Sequence, residues 1–154
     1  MEFGTEVNSY NIIDLKRYQS YRVYVAGRSH GGVGVENYEE AMTDEDVPTK
    51  GPTKLIVHAT GSSSLRAEWG VVPLCCRYGI IRGYQVLLLD HESREVVTNV
   101  AVSESTLSFE FHSLLTFYAY DVSVAAFTIK GSGVASENGT VTGEAGMLIS
   151  LSTY

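Results

Sequence analysis

Beyond residue 50, apolar side chains recur at every second position. Leu65, Ala67 and Trp69 alternate with Arg66 and Glu68, and Tyr84, Val86 and Leu88 alternate around Gln85. Leu107, Phe109 and Phe111 alternate with Ser108 and Glu110, and Tyr120, Val122, Val124 and Ala126 with Asp121, Ser123 and Ala125. A period of two places alternate side chains on opposite faces, so each run predicts a strand with one face in a core and one in water. Further strands are expected over 53–58, 94–100 and 134–142, all rich in β-branched residues. No window shows a long helical i, i+3, i+4, i+7 stripe. Seven short strands at this spacing predict an all-β fold, an antiparallel immunoglobulin-like β-sandwich.

The chain also repeats itself. Residues 15–34, LKRYQSYRVYVAGRSHGGVG, align without a gap on residues 114–133, LLTFYAYDVSVAAFTIKGSG, at an offset of 99. Leu15 then matches Leu114, Tyr21 matches Tyr120, Val23 and Val25 match Val122 and Val124, and Gly32 and Gly34 match Gly131 and Gly133. A period near 100 residues is a whole domain rather than a solenoid unit. The expected organisation is the C-terminal part of one domain over 1–45, a complete domain over 46–145, and a tail or the start of a linker over 146–154. VPTKGPT at 47–53 holds two of the three prolines and reads as an extended connector, with the boundary near 46–51.

Jointly these motifs resemble the fibronectin type III family. Trp69 stands where the family has its strand-B Trp. Gly79 to Val86, GIIRGYQV, resembles the opening of strand C. The L-x5-Y-x-V-x-V-A stretch from Leu114 resembles the E–F corner running into strand F, and Gly131-x-Gly133 the F–G turn. The family often has W-x-x-P, whereas WGVVP here is one residue longer and is followed by CCRYG, which alters the B–C loop. By this resemblance the complete copy carries strands A to G and residues 1–45 only E, F and G. Tyr120 and Tyr21 are expected to be corner tyrosines whose O–H returns to upstream backbone, with Leu114 and Leu15 plugging the base. Trp69 and Tyr84 are expected in the core, and Gly131 and Gly133 to supply positive φ at the turn. Without an opposing sheet, Tyr21, Val23 and Val25 should form a weakly ordered hairpin of 20–28 and 33–41, open to self-association.

Composition narrows the function. The chain has 154 residues, 11 Lys+Arg against 18 Asp+Glu, a net charge of −7 and a pI near 5.0. Such an acidic module is not expected to bind nucleic acid. No apolar run approaches the roughly 20 residues that cross a bilayer, and the N-terminal stretch lacks the basic and apolar regions of a signal peptide. Residues 36–46, ENYEEAMTDED, hold six acids and no base. They read as a solvated strand end, since the D-x-D-x-D-G spacing of a calcium loop is missing.

Catalytic patterns are lacking. His30, His58, His91 and His112 fall in separate segments, so no metal site is expected. Neither a G-x-S-x-G elbow nor a phosphate loop is present. Asp90, Glu92 and Glu95 are expected on a turn, with no sign of a cleft. Cys75 and Cys76 are adjacent rather than C-x-x-C and read as two loop thiols. A redox or intermolecular role would require an accessible thiol with a lowered pKa, for which neighbouring Arg77 is only a mild hint. Asn138-Gly139-Thr140 is the sole N-glycosylation sequon. The resemblance implies a non-catalytic protein-binding or spacer module of a multidomain cell-surface receptor, adhesion or matrix protein. Its alternatives are an intracellular tandem in a muscle-filament or cytoskeletal protein, or an accessory domain of an enzyme such as a receptor phosphatase. No cofactor is expected. Candidate partner contacts are Arg77 and Tyr78 in the B–C loop and Ile129 and Lys130 in the F–G loop, each pairing a charge with an apolar or aromatic neighbour.

Overall fold

In the computed structural model residues 1–143 are described, and the chain divides into two units between Asp44 and Glu45. The expected tail at 146–154, and the last two residues of the expected domain at 46–145, lie outside the described residues.

The first unit is one antiparallel hairpin, β1 (Ser20–Ser29) and β2 (Gly32–Met42). Its strands include the expected 20–28 and 33–41. The expected E strand is not formed, because residues 1–19 contain only turns and a bend. At the 99-residue offset Ser9–Ile12 corresponds to Ser108–Phe111, a segment that forms a strand only by pairing with a neighbour. Residues 1–44 contain no such neighbour. For the same reason Leu15 and Tyr21 do not join a closed core. Leu15 is 37% exposed, Tyr21 is half-buried, and Val25 is 69% exposed.

The second unit has seven strands, β3 (Ile56–Gly61), β4 (Ser64–Glu68), β5 (Gly83–Asp90), β6 (Val96–Ser103), β7 (Ser108–Phe111), β8 (Ala119–Thr128) and β9 (Gly131–Val141). They form two antiparallel sheets, one ordered β3-β4-β7 and the other β6-β5-β8-β9. In register, Ala67 faces Phe109, Val86 faces Val100 and Val124, and Val124 faces Ser136. The alternation read from the sequence becomes the core, with Leu65, Ala67, Val86, Leu88, Val122, Val124 and Ala126 all fully buried. Trp69 is 5% exposed and meets Tyr84 edge-on, with ring centroids 5.7 Å apart. Leu114 is half-buried and packs against this cluster.

Several expectations change, among them the last strand, which runs 131–141 rather than 134–142. The first strand runs 56–61 rather than 53–58, because Lys54 takes a left-handed φ of 52° that interrupts extended backbone. The strand at 94–100 begins at Val96, since Arg94, at φ 60°, closes the preceding turn. The connector at 47–53 is part of the sandwich, with Pro48 and Pro52 both buried. It lies along the outer edge of β9. Val134 N–H donates to the Pro48 carbonyl (3.1 Å), the Ser136 hydroxyl to the Pro52 carbonyl (2.7 Å), and Asn138 Nδ2 to the Leu55 carbonyl (3.0 Å). Proline suits this position because an edge cover needs its carbonyls here and not its missing N–H.

Gly131 has φ +123°, as the turn requires, and so does Gly32. Gly133 is glycine for another reason. It does not adopt positive φ, but a Cβ there would collide with the Pro48 carbonyl oxygen.

Candidate interaction surface

One end of the second unit gathers three pieces of chain: residues 45–49, the β4–β5 loop, and the β8–β9 turn. Asp46 N–H donates to the Tyr78 carbonyl at 2.7 Å, and the Asp46 carbonyl accepts from the Thr128 hydroxyl at 3.0 Å. Thr49 N–H donates to the Cys76 carbonyl (2.9 Å) and Arg82 N–H to the Phe127 carbonyl (2.9 Å). Gly79 sits where a Cβ would be 3.0 Å from Thr128 Cγ2. The loop is shaped by Pro73, which precedes a 3-10 turn over Leu74–Cys76.

The four candidate contact residues therefore share one end, in different roles. Arg77 is half-buried, and its Nε donates to the Val72 carbonyl at 2.8 Å. It ties the loop together. Tyr78 is half-buried at φ 48°, and its carbonyl is occupied by Asp46. Ile129 is 67% exposed, and Lys130 is exposed with its N–H donating to the Thr128 hydroxyl at 3.2 Å. Ile80 and Leu74, which the sequence did not single out, are 51% and 81% exposed in the same loop. Their signal was available, as apolar residues in a loop outside any alternating run.

The opposite end holds charge. Tyr118 O–H donates to Asp90 Oδ2 at 2.6 Å, and the Glu92 and Ser93 N–H groups donate to Asp90 Oδ1. Chiefly through the tyrosine, these bonds lower the Asp90 carboxyl to about 2. The same bond raises Tyr118 to about 12. A carboxylate held ionised in this way is a poor proton donor, so Asp90 serves the turn. Beside it Asp121 accepts from Arg94 (2.5 Å), which also reaches Glu137 (3.0 Å), and His91 Nδ1 lies 3.1 Å from Asp121. Among the described residues no group of three or more His, Cys, Asp or Glu is placed to hold a metal ion.

Asn138 is exposed on β9. Its Nδ2, the atom a glycan would occupy, donates to the Leu55 carbonyl, while its Oδ1 accepts from Gly139 N–H at 2.9 Å.

Both tyrosine corners are built. Leu115 N–H donates to the Tyr120 hydroxyl (3.1 Å) and Lys16 N–H to the Tyr21 hydroxyl (2.8 Å). Each corner is locked by a threonine that the sequence reading missed. Thr142 Oγ1 donates to the Leu115 carbonyl and accepts from Tyr118 N–H; Thr43 Oγ1 donates to the Lys16 carbonyl and accepts from Gln19 N–H. Thr43 and Thr142 stand 99 apart, so extending the alignment past Val134 would have found them.

Three solved structures share this fold. Domains d3–d4 of the rat CD45 extracellular region match with a TM-score of 0.71 at 15% identity, over 92% of this chain and 74% of that one. The FN1–FN3 domains of chicken CNTN1 match at 0.60 and 23%, over 84% of this chain and 44% of that one. The third fibronectin III domain of human KIAA0343 protein matches at 0.57 and 24%, over 67% and 89%. In sequence, the chain is 31% identical to bovine receptor-type tyrosine-protein phosphatase F over 96% of its length, 33% to mouse protein sidekick-2 over 82%, and 31% to human neogenin over 84%. It spans only 8%, 6% and 9% of those proteins. No family model matches the chain. The architecture is the fibronectin type III sandwich, and its seven strands lie in the second unit.

Proposed function

We propose that this fibronectin type III chain is a non-catalytic binding or spacer module from the extracellular part of a multidomain receptor or adhesion protein. The observation that carries this reading is its likeness to segments of a receptor-type phosphatase, sidekick-2 and neogenin, together with a sandwich whose interior is filled by side chains. A filled antiparallel sandwich offers its loops and faces to partners. In this reading residues 1–44 are the C-terminal part of a preceding sandwich. Their repeat-matched hairpin and corner support that assignment. The partner is a protein that meets the loop end at Ile129 and Lys130, with Ile80 and Leu74 adding apolar surface. Arg77 and Tyr78 hold the loop in place. Until its sheet is completed, the open hairpin is a site of self-association.

Secretion and Asn138 glycosylation are tested together. Expression through a secretory pathway should yield protein that shifts on treatment with an amidase that removes N-glycans, and Asn138→Gln should abolish the shift. Unmodified secreted protein would remove the glycan, and failure to be secreted in folded form would favour the intracellular tandem. For partner contact, Ile129→Asp with Lys130→Glu should abolish binding to cells that bind the parent ectodomain. Arg77→Ala should act through loop stability instead.

A further inference from the structure

Cys75 and Cys76 occupy the 3-10 turn of the β4–β5 loop, both as free thiols. Their surroundings differ. Cys75 is exposed, whereas Cys76 is 8% exposed, with its N–H donating to the Pro73 carbonyl (3.0 Å) and its carbonyl accepting from Thr49 (2.9 Å). The adjacent Cys75 side chain, and after it burial, raise the Cys76 thiol above its ordinary value. The Thr49 side chain and Lys50 act in the opposite sense, favouring its thiolate. One cysteine can thus be reached from solvent, and its neighbour in the same turn is buried.

We propose that Cys75 and Cys76 form a reversible dithiol–disulfide site that exchanges with low-molecular-weight disulfides such as oxidised glutathione, Cys75 attacking and Cys76 resolving. In the first step the Cys75 thiolate attacks one sulfur of the small disulfide. The S–S bond breaks, a mixed disulfide forms on Cys75, and the leaving thiolate takes up the proton that Cys75 gave. In the second step the Cys76 thiolate attacks Cys75 Sγ. The mixed disulfide breaks, the eight-membered ring between the neighbours closes, and a second small thiol leaves with the Cys76 proton. The cysteine pair loses two electrons, and the small disulfide gains them.

Geometry makes this ring labile. Neighbouring Cα atoms are about 3.8 Å apart, below the roughly 4.4–6.8 Å that unstrained disulfides span. A strained, accessible disulfide belongs to the easily reduced class and not to the structural one. Closure also draws Cys76 out of the turn that Pro73 and Thr49 hold. This site does not depend on the binding role proposed above.

The test is intact mass and free-thiol count on the full chain incubated with oxidised glutathione. The wild type should lose two thiols and two hydrogens, carry no glutathione, remain monomeric, and recover both thiols with dithiothreitol. Cys76→Ser should stop at one glutathione adduct on Cys75, with Cys76→Ala as the same arm should serine at the buried position unfold the loop. Cys75→Ser should react at least about tenfold more slowly than Cys76→Ser, because its remaining thiol is buried. A persistent adduct on the wild type, an intermolecular disulfide, two unreacted thiols, or equal rates for the two single variants would each overturn the proposal. The wild-type mass decides ring closure whatever the variants do.

Discussion

Tyr21 and Tyr120 make the same hydrogen bond in opposite circumstances. Each hydroxyl accepts from the backbone N–H five residues upstream, at 2.8 Å in the first unit and 3.1 Å in the second. Tyr120 is 3% exposed, and Tyr21 is half-buried on an open hairpin. An identical bond should therefore have different energetic weight. Tyr120→Phe leaves the Leu115 N–H without a partner in a partly buried corner, which costs about 1–3 kcal/mol. Tyr21→Phe leaves the Lys16 N–H to water and should cost less than about 0.5 kcal/mol. Denaturant melts of the two single variants, followed by amide NMR signals of the unit that carries each tyrosine, compare them directly. Equal losses would deny that burial sets the worth of this bond.

Trp69→Ala should cost about 3–5 kcal/mol, through lost burial and the cavity left between the sheets. That is a large part of a domain's stability. Trp69 Nε1 is buried without a hydrogen-bond partner among the described residues. Trp69→Phe removes this orphan donor while keeping most of the ring, so it should retain clearly more stability than the alanine variant. Calorimetry of both substitutions checks the order.

Asp90 and Tyr118 set two pH limits. The carboxyl goes from 3.8 to about 2 on folding, so its contribution is complete above pH 3.8 and is lost as pH falls through about 2. The phenol goes from 10.0 to about 12, so its contribution is complete below pH 10 and is lost as pH rises through about 12. Tyr118→Phe should move the Asp90 midpoint back toward the ordinary carboxylate range, because it removes the largest cause of the shift. Carboxyl-detected NMR titration of wild type and variant reads this, and an unmoved midpoint would assign the shift to the turn amides instead.

Gly133→Ala forces a methyl group against the Pro48 carbonyl. The expected loss is about 1–3 kcal/mol, accompanied by faster hydrogen exchange at Val134, whose N–H donates to that carbonyl. A variant with unchanged exchange at Val134 would show that the edge cover yields without strain.

Amides of β1 and β2 should exchange roughly a hundredfold or more faster than those of β5 and β8. β2 is exposed along its whole length, while β5 and β8 are paired on both sides. Similar protection in monomeric protein would mean that the hairpin has found a covering surface.

What the sequence made legible followed from local physics. Alternation in 84–88 and 120–126 gave both strand and facing, because a period of two and a core on one side are the same fact. The repeat located the corner at Tyr120 and the turn at Gly131, since bond and positive φ depend on residues close in sequence. Pro48 and Pro52 misled, because a proline looks alike in a tether and in an edge cover, and what distinguishes them is β9, some 85 residues away. Arg77 shows the same limit. Its charge is plain in the sequence, whereas the donation of its Nε to the Val72 carbonyl depends on the shape of the loop. The Asp121–Arg94–Glu137 group joins residues from three segments with no spacing signature at all.

Pro48, Pro52 and Leu55 hem the last strand of the sandwich, and this bears on where such a chain can be divided. A fragment starting at Thr53 would keep all seven strands yet expose the raw selvage of β9, ready to knit with any other free border in solution. A fragment starting at Glu45 carries its own finished seam. In any shuffling of tandem modules, residues 45–52 should travel with the sandwich that follows them.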